Sequence, residues 1–222
     1  MNKMITVFAA TLATTIFAAP SFARFTGVPV GMTQVRSGIW IEAGVSKPDQ
    51  DAILRRIGAA QAAMKSSFGK LYALPQWHIC ATERCDVANG IPNRATTYGA
   101  FFITVSSKAV ADPVTYVHEL VHAQMASALP LSLGATARYP AWFDEGLATV
   151  ISKSVGYPDA KTNCAAELKK PLPKTAAEFK ELSKPQGAGP IYTRSACAVR
   201  AWLGNQPVSA ARARLAQGGK LP

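Results

Sequence analysis

The chain has 222 residues, with 24 Lys+Arg against 13 Asp+Glu and a formal net charge of +11. Hydrophobic residues make up 49% and charged residues 17%, a balance that excludes an intrinsically disordered chain. Four cysteines in this length exclude a disulfide-built mini-protein, and the basic excess points to anionic neighbours.

The N-terminus has the layout of a signal peptide. Lys3 supplies a short positive region, Met4 to Ala19 carries no charge, and Pro20 follows. Ser21-Phe22-Ala23 puts small residues at the −3 and −1 positions of a cleavage site before Arg24. The uncharged run of 16 residues is shorter than the roughly 20 that a spanning helix needs. Residues 1–23 therefore read as a signal peptide and 24–222 as one domain. No transmembrane segment is expected after cleavage, and the protein is expected to be periplasmic or secreted. Export permits disulfides. Cys80 and Cys85 enclose four residues, a loop that a turn can close. The expected pairing is Cys80–Cys85 with Cys164–Cys197, rather than a four-thiolate zinc site, because no C-x-x-C pair exists.

Residues 24–46 hold Gly and Pro with little periodicity and read as an extended lead-in. Ile53, Ile57, Ala60 and Met64 recur at helical spacing, which predicts a long helix from Lys47 to about Phe68. Pro75 to Ala81 reads as a short strand. Thr97 to Ser106, rich in β-branched and aromatic residues, reads as a second strand. Asp112-Pro113 opens a helix running to about Ala128, with Asp as N-cap and Pro at the first helical position. After a loop from Leu129 to Tyr139, Pro140 starts another helix, to about Ser154. A Lys- and Pro-rich stretch follows, with a helical piece near Thr175 to Leu182. Tyr192 to Leu203 and Val208 to Ala216 close the chain as two helices. The expected class is α+β, a small sheet followed by a mostly helical C-terminal part.

His118-Glu119-Leu120-Val121-His122, inside the helix opened by Asp112, is an H-E-x-x-H pattern. Residues four apart share one helix face, so two imidazoles there can bind one Zn²⁺. Glu119 lies beside that face, where it can take a proton from a zinc-activated water and pass it on. A catalytic zinc wants three protein ligands and an open position. Only His78 remains outside the motif, upstream on a strand, so the third ligand should be a carboxylate. Downstream candidates are Asp144, Glu145, Asp159, Glu167, Glu178 and Glu181. Glu145 is favoured: 23 positions after His122 allow a helix to end, turn and return. Gly146 would let the two helices approach closely near the metal. Asp144 either favours the helix N-terminus electrostatically or supports a histidine ligand.

HELVH followed by Trp142-Phe143-Asp144-Glu145-Gly146-Leu147-Ala148 resembles the gluzincin branch of the zinc metallopeptidases, in the peptidase-MA-like group. There the second motif reads W-x-x-E-G-x-A and its Glu is the third zinc ligand. The matching positions are His118, Glu119, His122, Trp142, Glu145, Gly146 and Ala148. The thermolysin-type N-E-x-x-x-D form is not matched, since Asp144 stands for Asn and Thr149 for Asp. The resemblance implies a zincin-like fold whose edge strand, here Thr97 to Ser106, packs on the zinc helix and pairs with a peptide. It also implies a later donor for the oxyanion, with Tyr192 in the fitting place and Tyr157 and Arg194 as rivals.

These readings predict a zinc metallopeptidase with His118, His122 and Glu145 as ligands, Glu119 as general base, and a peptide or protein substrate. The alternative is a catalytically inactive zincin-fold binding or scaffold protein of the cell envelope. From Ser152 to Pro222 there are 12 basic and 4 acidic residues, a net of +8, which suits an anionic envelope partner. No nucleic-acid motif is present, so no specific nucleic-acid partner is expected.

Overall fold

The computed structural model describes residues 29–130 and 139–222. The expected signal peptide with its cleavage site, and most of the loop from Leu129 to Tyr139, lie outside the described residues. The chain is of mixed α+β class, with a five-stranded sheet ordered β1-β2-β3-β5-β4. The strands are β1 (Met32–Arg36), β2 (Ile39–Glu42), β3 (Gln76–Ile79), β4 (Ala95–Tyr98) and β5 (Phe102–Val105). β2, β3 and β5 run parallel, while β1 and β4 are antiparallel edges.

Two expectations need correction. The supposed lead-in contains the hairpin β1–β2, turned through Gly38 at φ 72°. β1 is mostly exposed, and the apolar run of β2, Ile39-Trp40-Ile41, is only three residues long. The single strand expected over Thr97 to Ser106 is instead a hairpin. Gly99, at φ 57°, turns the chain between β4 and β5. The edge strand is therefore β4, and β5 is interior.

The expected long helix forms as α1 (Lys47–Phe68), with Ile53, Ile57, Ala60, Met64 and Phe68 buried. Ser46 caps it by accepting from the Asp49 N–H, and Gly69 closes it at φ 83°. It crosses from β2 to the parallel β3 and packs on α3 (Pro113–Ala126). The short α2 (Glu83–Asn89) follows β3 and is tied to it by the Cys80–Cys85 disulfide. The C-terminal part is helical: α4 (Ala141–Ser152), α5 (Cys164–Glu167), α6 (Ala176–Ser183), α7 (Gly189–Leu203) and α8 (Ser209–Ala216). The Cys164–Cys197 disulfide joins α5 to α7, so both disulfides match the expected pairing.

One apolar core runs between the sheet and the helices, with Trp77, Ile103, Tyr116, Leu120, Phe143 and Leu147 at most 2% exposed. α4 packs chiefly on α7 and α3. Gly146 explains the first contact. A Cβ there would stand 2.4 Å from the Ser195 carbonyl oxygen of α7. The close approach that Gly146 permits is thus to α7, not to α3 as expected.

Candidate metal centre

Asp112 fixes the start of α3. Its Oδ1 accepts from the Val114 N–H at 3.1 Å and its Oδ2 from the Thr115 hydroxyl at 2.9 Å. Leu120, Val121 and Ala123 bury the core side of the helix. His118 and His122 stand on the adjoining face, one turn apart, with ring centroids 4.9 Å apart.

α4 meets that face in the reverse direction. Its first backbone N–H groups, at Ala141 and Trp142, donate to the carbonyls of Lys174 and Pro173, each at 2.9 Å. The Lys- and Pro-rich stretch thus caps the helix that carries Glu145. Glu145 Oε2 lies 3.2 Å from His118 Nε2 and 3.7 Å from His122 Nε2. Ligand atoms about 2.0–2.1 Å from one tetrahedral ion stand about 3.3 Å from one another. One ligand atom from each of His118, His122 and Glu145 lies within 4.8 Å of the other two, so the cluster can hold a metal ion.

The other ring nitrogens are engaged from the two ends of α4. Asp144 Oδ1 lies 2.9 Å from His122 Nδ1. Ser154 Oγ lies 3.3 Å from His118 Nδ1. Ser154 reaches it because Lys153 turns left-handed at φ 54° just past the helix end. Both contacts leave Nε2 facing Glu145, the orientation that outer partners impose on metal-binding histidines. Asp144 therefore faces a histidine rather than merely lying at the helix N-terminus.

Electrostatics favour a cation here. Burial opposes a charge on His122, but the facing carboxylates of Asp144, Glu145 and Glu119 outweigh it and raise its pKa to about 10. Burial also pushes Glu145 up, yet His122 and His118 bring it below its ordinary value. Without a metal, a proton on His122 takes the cation's place.

Glu119 is held from the sheet. Thr97 of β4 places its hydroxyl 2.6 Å from Glu119 Oε2 and 2.9 Å from the Glu119 carbonyl oxygen. Tyr192 of α7 sets its ring edge-on to His118, with centroids 5.9 Å apart, and Phe179 of α6 packs behind it at 5.0 Å. Burial raises the Tyr192 phenol, and the Glu145 and Glu119 carboxylates add to the rise, so it keeps its proton. Gly156 makes room, since a Cβ there would stand 2.5 Å from Tyr192 Cβ. The rival Arg194 is engaged elsewhere: it is 4% exposed and donates to the Pro171 carbonyl at 2.6 Å. Tyr157, the other rival, is 38% exposed.

Of the remaining carboxylate candidates, Glu167 lies 3.7 Å from Arg194, and Glu178 accepts from the Lys174 N–H at 2.7 Å. Asp159 binds the Thr162 hydroxyl and Glu181 pairs with Lys184. His78 is buried on β3. Thr97 and Ser154 are the site residues that spacing alone misses. Thr97 lies well before the first motif and Ser154 just past the end of the helix that carries the second, and only the folded β4 and the left-handed turn at Lys153 bring them in. Comparison with family models, curated proteins and solved structures finds no match to this chain.

Proposed function

We propose that the chain is an exported zinc metallopeptidase of gluzincin type with a zincin-like fold. The observation that carries this reading is one cluster of two imidazoles and a carboxylate, beside a second carboxylate held by a hydroxyl. Three protein ligands that leave a position open are the donor set of a catalytic rather than a structural zinc. Bound there, zinc supplies Lewis-acid chemistry, polarising a carbonyl and acidifying water.

The chain's own residues do the rest. Asp144 and Ser154 orient the imidazoles through Nδ1. Thr97 anchors Glu119 Oε2, which leaves Oε1 to take a proton from the attacking water and return it to the leaving nitrogen. Tyr192, protonated beside His118, donates to the oxyanion. The substrate is a peptide or protein, and β4, the edge strand against α3, is the place for it to add as a further strand. The basic C-terminal third suits an anionic envelope partner.

Two disulfides are compatible with export, and among the described residues no helix is long and apolar enough to cross a membrane. Metal analysis with a peptide-library cleavage assay, on wild type and Glu119→Gln, tests the proposal. Wild type should carry zinc and cleave, while the variant should carry zinc and not cleave. Zinc without cleavage in both proteins would favour the scaffold alternative.

A further inference from the structure

The molecule has an open cleft of about 570 Å³ that shares no residue with the metal centre. It lies beyond the carboxyl ends of the three parallel strands. Glu42 ends β2, Ala81 and Thr82 follow β3, and Val110 and Ala111 follow β5. In open sheets with parallel strands, ligands bind at that end. The volume falls in the range of small-molecule sites, about 300–1,000 Å³.

The charges that line it are unequally engaged. Glu42 is 8% exposed, and its own chain satisfies it. Its Oε2 accepts from the Ala81 and Thr82 N–H groups, both at 2.8 Å, and its Oε1 from the Thr82 hydroxyl at 2.6 Å. Asp49 Oδ2 accepts from the Ser46 hydroxyl at 2.6 Å. Arg56 and Arg84 line the same cleft, and neither forms an ion pair or hydrogen bond among the described residues. Both carboxylates thus have donors of their own, and the two arginines are the lining charges without a partner among the described residues. Two guanidiniums offer planar forks that match a carboxylate or a phosphate. Val45, Ala52, Ile53 and Val110 add an apolar part to the lining.

We propose that this cleft binds a small amphiphilic acid, its oxyanion head on Arg56 and Arg84 and its apolar body along Val45, Ile53 and Val110. Carboxylate and phosphate heads share this chemistry, and separate probes distinguish them. Hexanoate and phenyl phosphate are titrated into the full-length protein, followed by calorimetry and by backbone amide shifts. Hexanol serves as the neutral control and acetate as the bodiless one. Saturable binding is expected for at least one of the two acids, whichever binds naming the head group. Shifts should centre on Gly44 to Ser46 and Ala81 to Arg84. Hexanol and acetate should bind at least tenfold more weakly, as should the acid to an Arg56→Gln/Arg84→Gln variant. The proposal is overturned by no saturable binding of either acid, or by equal binding of hexanol or acetate. Unchanged affinity in the double variant, or shifts confined to the surroundings of His118 and His122, would overturn it too.

Discussion

The metal centre and the cleft at the strand ends treat their carboxylates in opposite ways. At the centre, Asp144, Glu145 and Glu119 face two imidazoles and raise the His122 pKa to about 10. At the cleft, Glu42 is satisfied by backbone N–H groups and a hydroxyl, and the two arginines are left over. One chain with a large positive charge thus builds one cluster that could hold a cation and one cleft whose unpartnered charges are arginines. Net charge says little about either; what decides is which charges the fold has already satisfied.

Removing a carboxylate should break this contrast most sharply. Glu145→Ala should lose stoichiometric metal, by more than the roughly 10–100-fold drop in affinity expected for Asp144→Asn. Equilibrium dialysis against a chelator series measures both. Asp144→Asn behaving like wild type would show that its 2.9 Å approach to His122 does not support the metal.

Each site also has a disulfide. Cys164–Cys197 spans 33 residues behind the metal centre, and Cys80–Cys85 spans 5 at the cleft. Loop-closure entropy predicts a loss of about 3–4 kcal/mol for removing the first and about 2 kcal/mol for the second. Denaturant unfolding of the two Cys→Ser pairs checks the order.

Gly146→Ala comes next, at about 1–3 kcal/mol, the usual range for overpacking. Its Cβ would press on the Ser195 carbonyl of α7, so Tyr192 should shift with that helix. Thermal unfolding gives the first effect, and the Tyr192 ring resonances give the second.

The contrast also predicts a pH dependence. The folded pKa of His122 is raised above its unfolded value, so without metal its charge stabilises the fold at low pH. That contribution is full below about 6.5 and is lost as pH rises through about 10. Metal must displace this proton, so affinity should rise by up to about tenfold per pH unit over the same window. A flat profile would mean that His122 is neutral in the metal-free protein.

Much of the centre was legible because helix periodicity is local. The four-residue step of His118 to His122 and the stripe of Ile53, Ile57, Ala60 and Met64 both survive in the structure. Glu145 could be reached by counting histidines, since no third one was in reach. The β4–β5 hairpin, where a single strand from Thr97 to Ser106 was expected, was not legible. Its turn at Gly99 is flanked by Tyr98 and Phe101, which read as strand residues. The Thr97 contact to Glu119 depends on that turn, so it was hidden as well. Gly146 was given the wrong neighbour because a glycine reports close approach without saying to what. The cleft left no motif at all. Glu42, Arg56 and Arg84 lie on separate elements and meet only once the parallel strands align.

The most direct test of the central claim is to measure metal content and peptide cleavage together, on wild type and Glu119→Gln. The account predicts one zinc per chain in both proteins, and a loss of cleavage in the variant by about 10²–10⁴-fold. A wild type without metal, or a variant that still cleaves at the wild-type rate, would contradict it.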